Sequence, residues 1–176
     1  MKIRQPGAHL DHLLRQTRSH HVQLSSMADL KANILMTLAS VVITLSVGKV
    51  VEPELKWTAL VLMFFSFLTI VLAAYSVMPK IPFSLGKKPL KSKSSAAFNL
   101  LFFGDFAGMG YDEFESEMET VLNDDSKTYE VQVKEIYTLG TYLAKKKYRY
   151  IRLAYIAFIS GLFLSGIILL FSGVLF

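Results

Sequence analysis

His9, His12, His20 and His21 are the only histidines, and the chain has no cysteine, so any metal chemistry must begin with them. His9 and His12 can share one helix face with Asp11 between them. A metal centre needs three or four convergent ligands. This group does not supply them, and no metal site is expected. The acidic run Asp112, Glu113, Glu115, Glu117 and Glu119 reads as a solvated helix face rather than as paired catalytic carboxylates. Gly104, Gly108 and Gly110 match no phosphate-cradling loop. The nucleophile elbow, the zinc-protease helix, the P-loop and the dinucleotide fingerprint are all missing. No catalytic residue and no cofactor are assigned, and the chain is not expected to be an enzyme. Without cysteine, disulfides, thiolate ligands and palmitoylation are excluded.

A second constellation suits binding. Phe102, Phe103, Phe106, Tyr111, Tyr137 and Tyr142 are interleaved with glycines and neighboured by Lys and Arg. Stacking plus a charge-assisted hydrogen bond is how a small anion with a flat ring is held. The plainer reading is a small apolar core, and residue types alone favour it.

The elements that must carry these residues follow from hydropathy. Ala32–Gly48, Trp57–Met78 and Leu153–Phe176 are uncharged apolar runs of 17, 22 and 24 residues. A helix crosses a bilayer core with about 20 such residues. The chain is 52% hydrophobic, with mean hydropathy +0.40, and concentrates that character in these runs. The expected fold is an all-α membrane protein of three transmembrane helices, with a small helical cytoplasmic segment inserted between the second and third. The parts are a cytoplasmic N-terminal helix (1–31), spans at 32–48 and 57–78, a cytoplasmic sensing segment (79–152) and a third span (153–176). The first apolar run starts too deep for a short secretory leader and is expected to remain as a span.

The charges set an expected topology. Lys2, Arg4, Arg15, Arg18 and Lys31 precede the first span. Lys80, Lys87, Lys88, Lys91 and Lys93 open the long connection, and Lys145, Lys146, Lys147, Arg149 and Arg152 close it. The short turn 49–56 is neutral. Basic flanks stay cytoplasmic. The protein is therefore expected as a multi-pass membrane protein, N-terminus cytoplasmic and C-terminus at the outer face. The net charge of +5 is explained by these flanks, and nucleic acid is not an expected partner.

Between the spans, Leu10, Leu14, Thr17, His21, Leu24 and Ala28 form one helical face with no Pro or Gly to interrupt it. That helix is expected to run into the first span. Pro79–Ser95 is a Pro/Gly/Lys/Ser-rich linker. Phe98–Gly110 reads as a short apolar turn or strand-like piece, and Tyr111–Leu122 as an acidic helix. Asn123–Ser126 reads as a turn opening a helix from Lys127 that continues towards the third span. Asn33, Thr37, Ser40 and Thr44 form a polar stripe on the first span, Ser66, Thr69, Ala73 and Ser76 a gentler one on the second, and Gly161-x-x-x-Ser165 has small-xxx-small spacing. Recurrent stripes favour a homo-oligomer over lipid exposure. Asp29 and Lys31, at the mouth of the first span, are either interfacial charges or one side of a specific polar contact.

Two stretches carry a family resemblance. One is Met27-Ala28-Asp29-Leu30-Lys31-Ala32-Asn33-Ile34-Leu35. The other is Asn99-Leu100-Leu101-Phe102-Phe103-Gly104-Asp105-Phe106, followed by Glu135-Ile136-Tyr137-Thr138-Leu139-Gly140 and Lys146-Lys147-Tyr148-Arg149-Tyr150-Ile151-Arg152. Over about residues 9–175 the chain resembles the transmembrane effector of the bacterial Pycsar antiphage system. The resemblance implies an activating ligand, a cyclic pyrimidine nucleotide (cCMP or cUMP) made by a partner cyclase. It also implies damage to the inner membrane and abortive infection, with the lipid bilayer as the target. It supplies no ligand residues. On residue chemistry the expected ligand set is Asn99 and Asp105 for a base edge, Phe102, Phe103 and Tyr137 for stacking, and Arg149 or Arg152 for the phosphate. The alternative function is a passive membrane anchor or scaffold that recruits a separate partner.

Overall fold

The computed structural model describes residues 3, 6–78 and 98–172; the side chains at 103 and 104 are outside the description. Among these residues the chain is all helix and turn. The elements are α1 (Ala8–Val47), a 3-10 turn (Gly48–Val51), α2 (Lys56–Val77), α3 (Phe103–Phe106), α4 (Tyr111–Leu122), α5 (Asp125–Tyr142), a π-helical stretch (Leu143–Tyr148) and α6 (Arg149–Phe171). Three helices are long and apolar enough to cross a membrane. The Pro79–Ser95 linker and the first residues of the chain lie outside the described residues, save Ile3, Pro6 and Gly7. The segment read as a turn or strand forms turns and the one-turn α3, with no strand.

The chain divides into two compact units. One comprises residues 24–78 and 142–176. Its core joins Ala28, Ala32 and Leu35 of α1, Ala73 of α2, and Ile151 and Ala154 of α6. The buried faces are built from small residues. On α2 they are Ala59, Ser66, Thr69, Ala73 and Ser76, and on α6 Ile151, Ala154, Ala157, Gly161 and Ser165. The α2 set recurs at steps of seven, three, four and three and the α6 set at three, three, four and four, so each forms a single stripe. Small residues let helix backbones approach closely, which is what holds helices together where solvent gives no hydrophobic drive. Gly161 shows how close: a Cβ placed there would lie 2.4 Å from Phe65 Cβ. Thr69 Oγ1 donates to the Phe65 carbonyl at 2.8 Å. Its buried hydroxyl is thereby satisfied within its own helix.

The other unit comprises residues 1–23 and 79–141. Leu10, Leu14, Thr17 and His21 are the partly buried face of the first turns of α1. Tyr129 of α5 is buried. Asp124 caps α5, its Oδ1 accepting from the backbone N–H of Ser126 at 2.9 Å and of Lys127 at 3.2 Å. This satisfies donors that a helix start leaves open. Gly140 gives room for the His21 ring, whose Cε1 would sit 3.1 Å from an added Cβ.

Gly161→Ala forces a contact that real Cβ atoms do not make, whereas a Cβ at Gly166 meets nothing within 4 Å. Gly161→Ala is expected to cost about 1–3 kcal/mol, as overpacking does, and Gly166→Ala to cost nothing. Thermal unfolding in detergent micelles checks this, and equal melting of the two variants would contradict the close approach.

Candidate functional site

Each unit holds a distinct concentration of polar chemistry. In the unit of residues 1–23 and 79–141 the chain from Asn99 to Asp105 ties itself into a compact turn. The Asn99 N–H donates to Asp105 Oδ2 at 2.9 Å, and Asn99 Oδ1 accepts from the Leu101 N–H at 3.0 Å. Asn99 is 1% exposed. Its Nδ2 has no hydrogen-bond partner among the described residues. The two side chains expected to read a base edge are thus brought together, and each also holds this turn. Phe102 is at the surface and Tyr137 is 73% exposed. The side chain of Phe103 is outside the description. Arg149 and Arg152 are exposed at the start of α6 and belong to the other unit.

Beside the turn lies an open cavity of about 500 Å³, lined by Asp11, Leu14, Arg15 and Arg18 of α1, Leu101, and Gln132, Glu135 and Ile136 of α5. Leu14, Leu101, Gln132, Glu135 and Ile136 are partly buried, while Asp11, Arg15 and Arg18 are exposed. Two interactions set its walls. Arg18 forms an ion pair with Glu135, its Nε 3.1 Å from Oε1. The Tyr129 hydroxyl donates to Asp11 Oδ1 at 2.6 Å and accepts from the Gly7 N–H at 3.3 Å. The hydrogen bond to the Asp11 carboxylate, helped by burial, raises the Tyr129 phenol above its ordinary value. The phenol therefore stays protonated and keeps Asp11 in place. Arg15 and Arg18 were not among the expected ligand residues. Their signal was legible: two arginines three apart lie on one helix face, and Arg18 stands one turn from Leu14 of the inward seam.

In the unit of residues 24–78 and 142–176 the polar chemistry divides between inside and outside. Ser66, Thr69 and Ser76 of the second span are buried. Asn33, Thr37, Ser40 and Thr44 of the first are all exposed. Three of their hydroxyls bond back along α1: Thr37 to the Asn33 carbonyl at 3.0 Å, Ser40 to Met36 at 2.8 Å and Thr44 to Ser40 at 3.0 Å. Such back-bonding lowers the cost of a hydroxyl among lipid chains. Asn33 is the exception, for its amide has no hydrogen-bond partner among the described residues.

The tightest polar contact is at the π-helical stretch. Lys147, its side chain 11% exposed, donates to both carboxylate oxygens of Asp29, at 2.6 and 2.8 Å, and to Ser25 Oγ at 2.8 Å. Next to it the Tyr148 hydroxyl donates to the Leu24 carbonyl at 3.1 Å, and the Lys31 ammonium lies 5.9 Å from the Tyr148 ring centre. Asp29 therefore makes a specific contact rather than serving as a loose interfacial charge. No three His, Asp or Glu side chains among the described residues converge as metal ligands.

The structure thus defines a three-helix membrane protein with a second, polar helical unit. The family model described as the Pycsar effector protein domain matches residues 12–172, and the chain belongs to that family. No curated protein and no solved structure matches it.

Asp29→Asn leaves the Lys147 ammonium largely buried without its counter-charge. The expected cost is about 2 kcal/mol, below the roughly 3–5 kcal/mol of a fully buried pair because Asp29 is partly exposed. Denaturation in detergent checks this. Lys31→Gln, which removes only the contact with the Tyr148 ring, should cost under about 1 kcal/mol.

Proposed function

We propose that the chain is the membrane-impairing effector of a Pycsar antiphage system. A partner cyclase triggered by infection makes cCMP or cUMP. The effector responds by breaching the inner membrane, and the infected cell stops before phage matures. The N-terminus and the connection between the second and third spans face the cytoplasm, where the messenger is made, and the basic flanks support that orientation.

Family membership supports the defensive role. The observation that carries the membrane-breaching part is the outward polar stripe on α1. Asn33, Thr37, Ser40 and Thr44 are exposed in a helix otherwise apolar enough to span. The back-bonded hydroxyls tolerate lipid, but the Asn33 amide does not, and its demand is met by another copy of the chain or by water. Association through this face makes a homo-oligomer with a polar seam. Messenger binding opens it by favouring one arrangement over another, which requires a difference in affinity between the two.

The test is dye release from liposomes holding the purified protein, titrated with cCMP, cUMP and cAMP. Release is expected with a pyrimidine nucleotide and not with cAMP. Replacing Asn33, Thr37, Ser40 and Thr44 together by Leu should abolish release, with Asn33→Leu alone causing most of the loss. Undiminished release from the fourfold variant would remove the stripe. Silence of correctly inserted wild type with all three nucleotides would favour a passive anchor or scaffold.

A further inference from the structure

We propose that the cavity between the first turns of α1 and α5 is the messenger's seat, with Arg15 and Arg18 holding the cyclic phosphate and Gln132 pairing with the pyrimidine edge. This rests on the reading of the chain as a responder to a cyclic pyrimidine nucleotide, and it assigns residues to that response. Size comes first. The cavity of about 500 Å³ lies in the roughly 300–1,000 Å³ range of small-molecule sites.

Charge comes second. A cyclic nucleotide carries one phosphodiester anion, and arginine is the side chain best shaped for phosphate oxygens. The cavity has two, Arg15 and Arg18, on one face of α1. Arg15 has no ion pair among the described residues. Arg18 engages Glu135 through Nε, one of its five donors. Glu135 is paired with Arg18, and Asp11 accepts from the neutral Tyr129 phenol and keeps its charge. Arg15 is the cation of the lining that has no ion pair among the described residues, and it is the one open to a phosphate.

The floor is third. Leu14, Leu101 and Ile136 are aliphatic and partly buried, and a flat ring fits among such side chains. Gln132 lies among them, partly buried, with no hydrogen-bond partner among the described residues. Its amide offers two donors and an acceptor. Cytosine presents an amino donor beside a ring acceptor, and uracil an N–H donor beside a carbonyl. A glutamine amide pairs with either by rotation, so one residue serves both candidate messengers. Asn99 and Asp105 contribute indirectly, because the turn they tie presents Leu101 to the cavity.

The experiment is isothermal titration of the full chain in detergent micelles with cCMP and with cUMP. The proteins are wild type, Arg15→Ala, Arg15→Lys, Gln132→Leu and Arg149→Ala. Arg15 is exposed and has no ion pair among the described residues, so its loss leaves the fold intact, and matched melting curves verify this. Arg15→Ala is expected to weaken binding roughly 10- to 150-fold, the equivalent of losing a hydrogen bond to a charged group. Arg15→Lys should recover part of that, Gln132→Leu should weaken binding roughly 2- to 10-fold, and Arg149→Ala should bind as wild type does. Wild-type affinity in Arg15→Ala, or a loss confined to Arg149→Ala, would overturn the seat while leaving the messenger reading in place. Failure of wild type to bind either nucleotide would overturn both.

Discussion

Inside a bilayer a helix gains almost nothing by hiding apolar surface, because lipid is as apolar as leucine. Whatever holds the spans together must come from close contact, and close contact needs small side chains. The membrane unit meets this constraint with Ala28, Ala32 and Ala39 on α1, Ala73 on α2, and Ala154, Ala157 and Gly161 on α6, all buried. Bulk is placed on the other faces: Phe64, Phe67, Phe163 and Phe171 are exposed, where lipid receives them. The distribution is the reverse of a soluble core. Gly161 is its tightest point, since the Phe65 side chain occupies the space a Cβ would need.

Polar groups in the same unit follow a second constraint, that each must be satisfied or made to face something other than lipid. Thr69, Ser46, Thr37, Ser40 and Thr44 satisfy it locally through carbonyls four residues back. Lys147 cannot. A buried ammonium requires a counter-charge, and Asp29 provides both carboxylate oxygens. The π-helical turn at Leu143–Tyr148 places it there. Such a turn holds an inserted residue relative to regular α-helix. The three hydrogen bonds of Lys147 and the one from Tyr148 to Leu24 hold this stretch against α1.

Most of the helices were legible because their periods are strong. The acidic helix at Tyr111–Leu122 and the second span have the bounds that composition suggests to within a residue, and the unbroken run from Ala8 into the first span is one helix of 40 residues. Facing was not legible. The stripes Asn33-Thr37-Ser40-Thr44 and Ser66-Thr69-Ala73-Ser76 have the same spacing and similar residues, yet the first points outward and the second inward. Periodicity fixes which residues share a face and says nothing about what that face meets. The Lys147–Asp29 pair spans 118 positions, and no local pattern announces a contact of that length. The strand-like alternative at Phe98–Gly110 failed for a local reason. The Asn99 side chain bonds the backbone two residues on, and Asp105 bonds back to Asn99, which curls the chain into turns before a ladder can form.

Those same bonds give the two side chains expected to read a base edge a second task. Asn99 Oδ1 and Asp105 Oδ2 are engaged by the backbone of their own turn, while Asn99 Nδ2 is buried with no partner among the described residues. A group already satisfied contributes less to binding than one whose demand is open. Arg15 is the converse: exposed, without an ion pair among the described residues, and beside a cavity with an aliphatic floor. In the membrane unit Asn33 stands out by the same criterion, since its hydroxyl-bearing neighbours are self-satisfied and it is not. On the proposals above, Arg15 in the polar unit and Asn33 in the apolar unit are sites where an added partner would replace no bond among the described residues.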